Sequence, residues 1–109
     1  YNQAIKANGF IFLSGQVAIE PETGIVILSS IAEETHQVMK NLQAVLKAAD
    51  SNLEKVVMST IFLSDMSHFS VVNEVYSNYF SSNYPARATV AVKTLPKNVN
   101  VEISVIATE

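Results

Sequence analysis

The chain has 109 residues, 49% of them hydrophobic and only 16% charged, which suits one domain, residues 1–109, with a substantial core. Its net charge is −3, and its seven Lys and Arg are scattered. No basic stripe is offered to a phosphate backbone, so direct nucleic-acid binding is not expected. No apolar run approaches the roughly 18 residues of a membrane helix, and the absence of cysteine excludes disulfides, thiolate metal sites and a Cys nucleophile.

The charged fraction lies below the roughly 25% usual for soluble domains. A small domain has much surface for its volume, so so few charges point to a surface partly covered by another chain. The lack of cysteine fits a reducing compartment, and cytoplasm or mitochondrial matrix is the expected location. The chain opens at Tyr1 without a Met, and an N-terminal segment is expected to precede it.

Tyr1 to Lys6 and Phe10 to Gln16 flank Ala7-Asn8-Gly9. Asn-Gly between two such runs predicts a hairpin, because both residues tolerate positive φ. Phe10-Ile11-Phe12-Leu13 is apolar throughout, as in a strand buried on both faces. Glu20 to Gly24 reads as a turn. Ser30 and Glu33 form a capping box for a helix whose apolar stripe is Ile31, Thr35, Val38, Leu42, Val45, Leu46 and Ala49, ended by Ser51-Asn52.

Val56 to Leu63 is the next strand, again apolar on both faces. Asp65 or Ser67 is placed to cap a second helix with an apolar face of Phe69, Val72, Tyr76, Tyr79 and Phe80. Asn83-Tyr84-Pro85 breaks it. Ala88 to Lys93 and Asn100 to Ala107 complete the order β-β-α-β-α-β-β. In the last strand Val101, Ile103 and Val105 share one face, and Glu102, Ser104 and Ile106 the other. Two helices cannot cover both faces of a five- or six-stranded sheet, so an α+β fold with helices on one face follows. The other face then needs a partner.

Few residues here carry chemistry. His36 and His68 have no neighbouring ligands at metal-binding spacing and read as exposed or capping histidines. There is no nucleophile elbow and no Gly-rich phosphate loop. Glu102 interrupts an apolar strand, so its carboxylate must reach solvent, a partner or a cleft. It also reads as an edge-strand charge that discourages aggregation. Arg87 follows Pro85-Ala86 at a strand start, where surface solvation is the plain alternative.

Pro85-Ala86-Arg87-Ala88, Leu95-Pro96-Lys97 and Val101-Glu102-Ile103 occur in this order. Upstream stand Tyr1-Asn2-Gln3-Ala4, Ser14-Gly15-Gln16, Val57 to Asp65, and Phe69 to Tyr76 with Asn73 at its centre. Together these segments resemble the signatures of the reactive-intermediate deaminase (RidA, or YjgF) family over nearly the whole chain. The resemblance implies a chorismate-mutase-like α+β domain with a mixed sheet, two helices on one face, and assembly as a homotrimer with active sites in the clefts between subunits. It implies hydrolysis of 2-imino acids such as 2-iminobutanoate and 2-iminopropanoate, which escape from pyridoxal-phosphate dehydratases, to 2-oxo acids and ammonia. It implies no metal and no cofactor. Arg87 and Glu102 are the implied catalytic residues, with Gly15, Ser14, Thr89, Tyr1 and Asn73 joining Arg87 in substrate binding. Two departures stand out. Thr89 occupies a position where the family often has Cys, and the segment from Phe80 to Pro85 is shorter than in bacterial members.

These residues support one mechanism. The Arg87 fork suits a carboxylate, the Gly15 N–H allows close approach, and Ser14 and Thr89 add hydroxyl donors. Tyr1 closes the pocket with its ring. Glu102 activates the water that attacks C2 and then returns the proton to the departing ammonia. Two alternatives stay open from sequence: a 2-oxo-acid-binding regulatory module without turnover, and a chaperone-like or translation-inhibiting interaction protein.

Overall fold

The computed structural model describes residues 1–109 and contains seven regular elements in the expected order. They are β1 (Ala4–Ala7), β2 (Phe10–Leu13), α1 (Ile31–Ala48), β3 (Val56–Leu63), α2 (Phe69–Asn78), β4 (Ala86–Ala91) and β5 (Val101–Thr108). The Asn-Gly turn forms with φ of 51° at Asn8 and 84° at Gly9, the left-handed values that a tight two-residue hairpin demands. The two hairpin strands are shorter than predicted. Residues 14–16 leave β2, although Gln16 still exchanges both backbone hydrogen bonds with Ile103.

Ser30 caps α1 by accepting from the Glu33 N–H at 3.1 Å. The Glu33 carboxylate takes the Ser29 hydroxyl instead of closing the box. The helix ends at Ala48, before Ser51-Asn52. Thr35, Val38, Leu42 and Leu46 are buried as the periodicity requires, and Glu34, Met39 and Asn41 are buried with them. Asp65 caps a short 3-10 turn, Met66–His68, by accepting from the Ser67 N–H at 2.8 Å, and this turn feeds α2. That backbone bond holds the Asp65 carboxyl below its usual range.

The five strands form one mixed sheet in the order β1-β2-β5-β3-β4. Only β3 and β4 run parallel. Strand β4 starts at Ala86, two residues before the predicted Ala88, and so takes in Arg87. No helix is long and apolar enough to cross a membrane.

Alternation sorts the sheet into two faces. Ile11, Leu13, Ser59, Ile61, Leu63, Val101, Ile103, Val105 and Ala107 are buried, most of them in one core cluster with Val38, Leu42 and Leu46 of α1 and Val72 and Tyr76 of α2. Phe10 and Phe12 point the other way and remain 42% and 43% exposed, so burial of this strand on both faces does not hold within one chain. Ile5, Phe12, Ile106 and Met58 stand in one cross-strand row on that open face. Helices thus cover one face only, and the apolar second face carries no cover of its own.

Candidate functional site

Strand register decides where the two candidate charges point. Ser59 lies opposite Arg87 and Ile61 opposite Thr89, and Ser59 and Ile61 belong to the helix-covered face. Arg87 and Thr89 therefore sit on that face. Glu102 lies opposite Phe62, and Phe62 opposite Val90, so Glu102 sits on the open face. One chain does not bring Arg87 and Glu102 together.

Arg87 is exposed at the edge strand, yet its head is held. Its Nη1 donates to the Asn73 amide oxygen at 2.5 Å. The guanidinium carbon lies 5.6 Å from the Phe69 ring centroid and 5.3 Å from that of Tyr76, within cation–π range. Asn73, Tyr76, Ser77, Tyr84, Pro85 and Arg87 line a cleft of about 370 Å³. Asn73 thus contacts Arg87 directly, through its side-chain oxygen. Burial raises the Tyr76 hydroxyl above its ordinary pKa, the Ser59 hydrogen bond and the Arg87 charge opposing it. The Thr89 Oγ1 is buried and has no hydrogen-bond partner.

Glu102 stands against Gly15. A Cβ added to Gly15 meets the Glu102 Cδ at 2.8 Å and Cγ at 3.0 Å, closer than real Cβ atoms come. A larger residue at 15 would push the Glu102 carboxylate out of this position, and the Gly15 N–H makes no backbone hydrogen bond in the chain. Burial pushes the Glu102 carboxyl above its usual value. Ser14 turns elsewhere: its hydroxyl donates to the Asn2 carbonyl at 2.6 Å and its N–H to the Gln3 carbonyl at 2.9 Å. Tyr1 is fully exposed. It shares with Gly15, Gln3, Gln16, Asn41 and Val45 the lining of a second cleft, of about 320 Å³.

The seven residues expected from sequence therefore divide into two groups. Arg87, Thr89 and Asn73 lie at the β4–α2 edge, and Glu102, Gly15, Ser14 and Tyr1 lie around the 14–16 segment.

One functional-looking residue escaped the sequence reading. Glu34 of α1 is wholly buried. Its carboxylate accepts from the Asn100 N–H at 2.7 Å, the Asn100 side-chain amide at 2.9 Å and the Val101 N–H at 3.0 Å. It pins the start of β5, two residues before Glu102. Its signal was present: Glu34 stands four residues before Val38, a carboxylate on the apolar stripe. Of the two histidines, His36 bonds the Tyr79 hydroxyl at 2.9 Å through Nδ1. His68 precedes α2 with a buried Nδ1 that has no partner. No group of three or more His, Cys, Asp or Glu is placed to hold a metal.

Comparison with known proteins agrees with this architecture. A human protein named 2-iminobutanoate/2-iminopropanoate deaminase is 41% identical over 107 residues, covering 98% of this chain and 78% of its own length. The chloroplastic Reactive Intermediate Deaminase A of Arabidopsis thaliana is 46% identical over 108 residues, covering 99% of this chain and 58% of its own. A putative endoribonuclease of Thermotoga maritima, solved by crystallography, superposes with a TM-score of 0.97 at 46% identity, over 100% of this chain and 86% of that one. The family model described as Endoribonuclease L-PSP matches residues 1–109, and the chain belongs to that family.

Proposed function

We propose that this chain is a deaminase that hydrolyses 2-imino acids to 2-oxo acids and ammonia in clefts shared between copies of itself. The observation that carries the reading is that Arg87 and Glu102 sit on opposite faces of one sheet, neither with a charged partner. The only ion pair in the chain is Lys6 with Glu109. In the proposed assembly the β4 edge of one copy meets the open face of the next, so that the cation of one chain reaches the carboxylate of the other. The names of the human and Arabidopsis relatives supply the reaction class, and the apolar open face supplies the reason to assemble. A homotrimer closes such a heterologous contact on itself and repeats the cleft three times.

In this cleft Arg87 receives the substrate carboxylate through its planar donors. The free Gly15 N–H and the Thr89 hydroxyl add hydrogen bonds at close range. Glu102, desolvated and so a better proton acceptor than an ordinary glutamate, takes a proton from water as it attacks C2. Glu102 then returns that proton to the carbinolamine nitrogen, and as the C–N bond breaks and ammonia leaves, the C2 hydroxyl gives its proton to the Glu102 carboxylate and becomes the carbonyl of the 2-oxo acid. Every step uses groups of the chain itself. Cytoplasm or mitochondrial matrix suits such a scavenger, since a chain without cysteine is indifferent to a reducing medium.

Mixing two impaired variants, assayed at substrate concentrations well below KM, tests the shared cleft. Glu102→Gln and Arg87→Ala are unfolded together, refolded, and assayed for ammonia release from 2-iminobutanoate. Random assembly pairs an intact arginine with an intact glutamate in about a quarter of the clefts of a closed ring, and activity should return to about that share. Variants that co-assemble without regaining activity would refute the shared site. Wild-type protein that binds 2-oxobutanoate but releases no ammonia above the spontaneous rate would mark a binding module instead.

A further inference from the structure

Arg87 poses a problem that its own residue type does not solve. An arginine at an exposed edge strand has a long, mobile side chain with about 2 kcal/mol of rotamer entropy, and fixing it on a ligand subtracts from affinity. A carboxylate neighbour would fix it but would also neutralise the charge that an anionic ligand needs. The chain provides no such neighbour, since its one ion pair lies elsewhere. It provides two rings and an amide instead, all from α2, at positions 69, 73 and 76 along one helix face.

We infer that Phe69 and Tyr76 are positioning residues that hold the Arg87 guanidinium ready for the substrate carboxylate while leaving its charge intact. The inference rests on the proposed role of Arg87. The two ring centroids lie 5.6 and 5.3 Å from the guanidinium carbon, within cation–π range, and a ring attracts the cation without neutralising its charge as a carboxylate would. Asn73 consumes one N–H donor, at Nη1. The others remain for the ligand. The Tyr76 ring is itself fixed. It is 2% exposed, and its hydroxyl donates to the Ser59 Oγ at 2.8 Å. Ser59 lies opposite Arg87 in the β3–β4 register. Ring, sheet and arginine thus form a closed circuit: Ser59 holds Tyr76, Tyr76 faces Arg87, and Arg87 pairs back to Ser59. Phe69 packs at the core margin and supplies the second ring.

Removing an aromatic side chain that only stabilises the fold lowers the melting temperature and leaves the folded enzyme's constants alone. A positioning ring changes carboxylate affinity and spares the chemistry at Glu102, so the test is a split between KM and kcat. Phe69→Leu keeps an apolar side chain and removes the ring. Its Kd for 2-oxobutanoate and its KM for 2-iminobutanoate should both rise about fivefold, the equivalent of ~1 kcal/mol at about 1.4 kcal/mol per tenfold, with kcat within about twofold of wild type. Phe69→Tyr restores a ring and should restore both constants. Tyr76→Phe keeps the ring but frees it from Ser59, and a smaller rise in the same direction is expected. Circular dichroism and light scattering establish that each variant is folded and assembled. If Tyr76→Phe fails to fold, the Phe69 pair decides.

Folded Phe69→Leu with wild-type Kd and KM, or with a fallen kcat and an unmoved KM, would overturn the inference. Arg87→Ala, measured in parallel, separates the two levels. Weakened 2-oxobutanoate binding there, with no effect at Phe69, leaves the role of Arg87 standing and removes only that of the rings. Unchanged binding in Arg87→Ala removes both.

Discussion

Arg87 has three partners from its own chain, the Asn73 oxygen and the rings of Phe69 and Tyr76. Glu102, across the sheet, has none of that kind. It is pressed against a residue without a side chain, Gly15, and burial alone shifts its pKa. The first region is built to hold a charge in place and keep it charged. The second partly shields a carboxylate from water and gives it no hydrogen-bond partner within the chain, which favours its taking a proton. A binding cation profits from the former and a general base from the latter, so the contrast in furnishing matches the contrast in proposed roles.

The sharpest way to break this comparison is to remove the base. Glu102→Gln keeps size and one acceptor oxygen but cannot take a proton. Turnover should fall about 10²-fold or more, while 2-oxo acid binding stays intact or tightens as a nearby negative charge is lost. Wild-type turnover in this variant would make the Glu102 region a binding surface. The pH profile sharpens the same point. The base works ionised, so activity rises with pH through the Glu102 pKa. Burial raises that pKa, so the acid limb should lie above the ordinary glutamate range. An acid limb that persists unchanged in the residual activity of Glu102→Gln would belong to another group.

Next in size is the cation. Arg87→Ala removes a charge-assisted contact worth roughly 1.5–3 kcal/mol, so calorimetry should find 2-oxo acid binding weaker by about 10–100-fold. Arg87→Lys should recover little of it, since an ammonium lacks the planar fork and stacks poorly on the two rings. Full recovery by lysine would mean that charge alone, and not the held orientation, makes the Arg87 region what it is.

Much of this framework was legible in the sequence, and the limit is instructive. Asn8-Gly9 gave the hairpin and the spacing from Thr35 to Leu46 gave α1, because turn chemistry and helical periodicity are local. The motif resemblance singled out Arg87 and Glu102 as residues. The two faces they occupy were not legible. They follow from parallel pairing of β3 with β4 and antiparallel pairing of β3 with β5, and a one-residue slip in either register inverts the answer. For the same reason Phe10-Ile11-Phe12-Leu13 read as buried on both faces, when two of the four wait for cover that this chain does not contain. Glu34 was hidden because its partners lie 66 and 67 residues away.

Glu34 anchors the start of β5, the strand that carries Glu102, and predicts a stability effect in place of a kinetic one. Glu34→Ala strands the buried N–H groups of Asn100 and Val101 at roughly 1–3 kcal/mol each. Thermal denaturation should show a loss of about 2–5 kcal/mol. A loss of under about 0.5 kcal/mol, the size of an ordinary surface change, would mean that β5 holds its place without the carboxylate.

The smallest expected effect lies at Thr89. Its Oγ1 is buried on the Arg87 side of the sheet and bonds to nothing within the chain. Thr89→Val keeps the shape and deletes that hydroxyl. If the hydroxyl serves only the fold, its replacement should be neutral or stabilising, because an unpaired buried polar group is lost. If it also donates to the ligand beside Arg87, 2-oxo acid binding should weaken by about 2–10-fold, the worth of one net hydrogen bond of roughly 0.5–1.5 kcal/mol. Melting temperature and affinity should therefore move in opposite directions, the one unchanged or higher and the other lower. A variant that loses stability while binding at wild-type strength would place Thr89 in the packing of β4 against the sheet and outside the Arg87 half of the cleft.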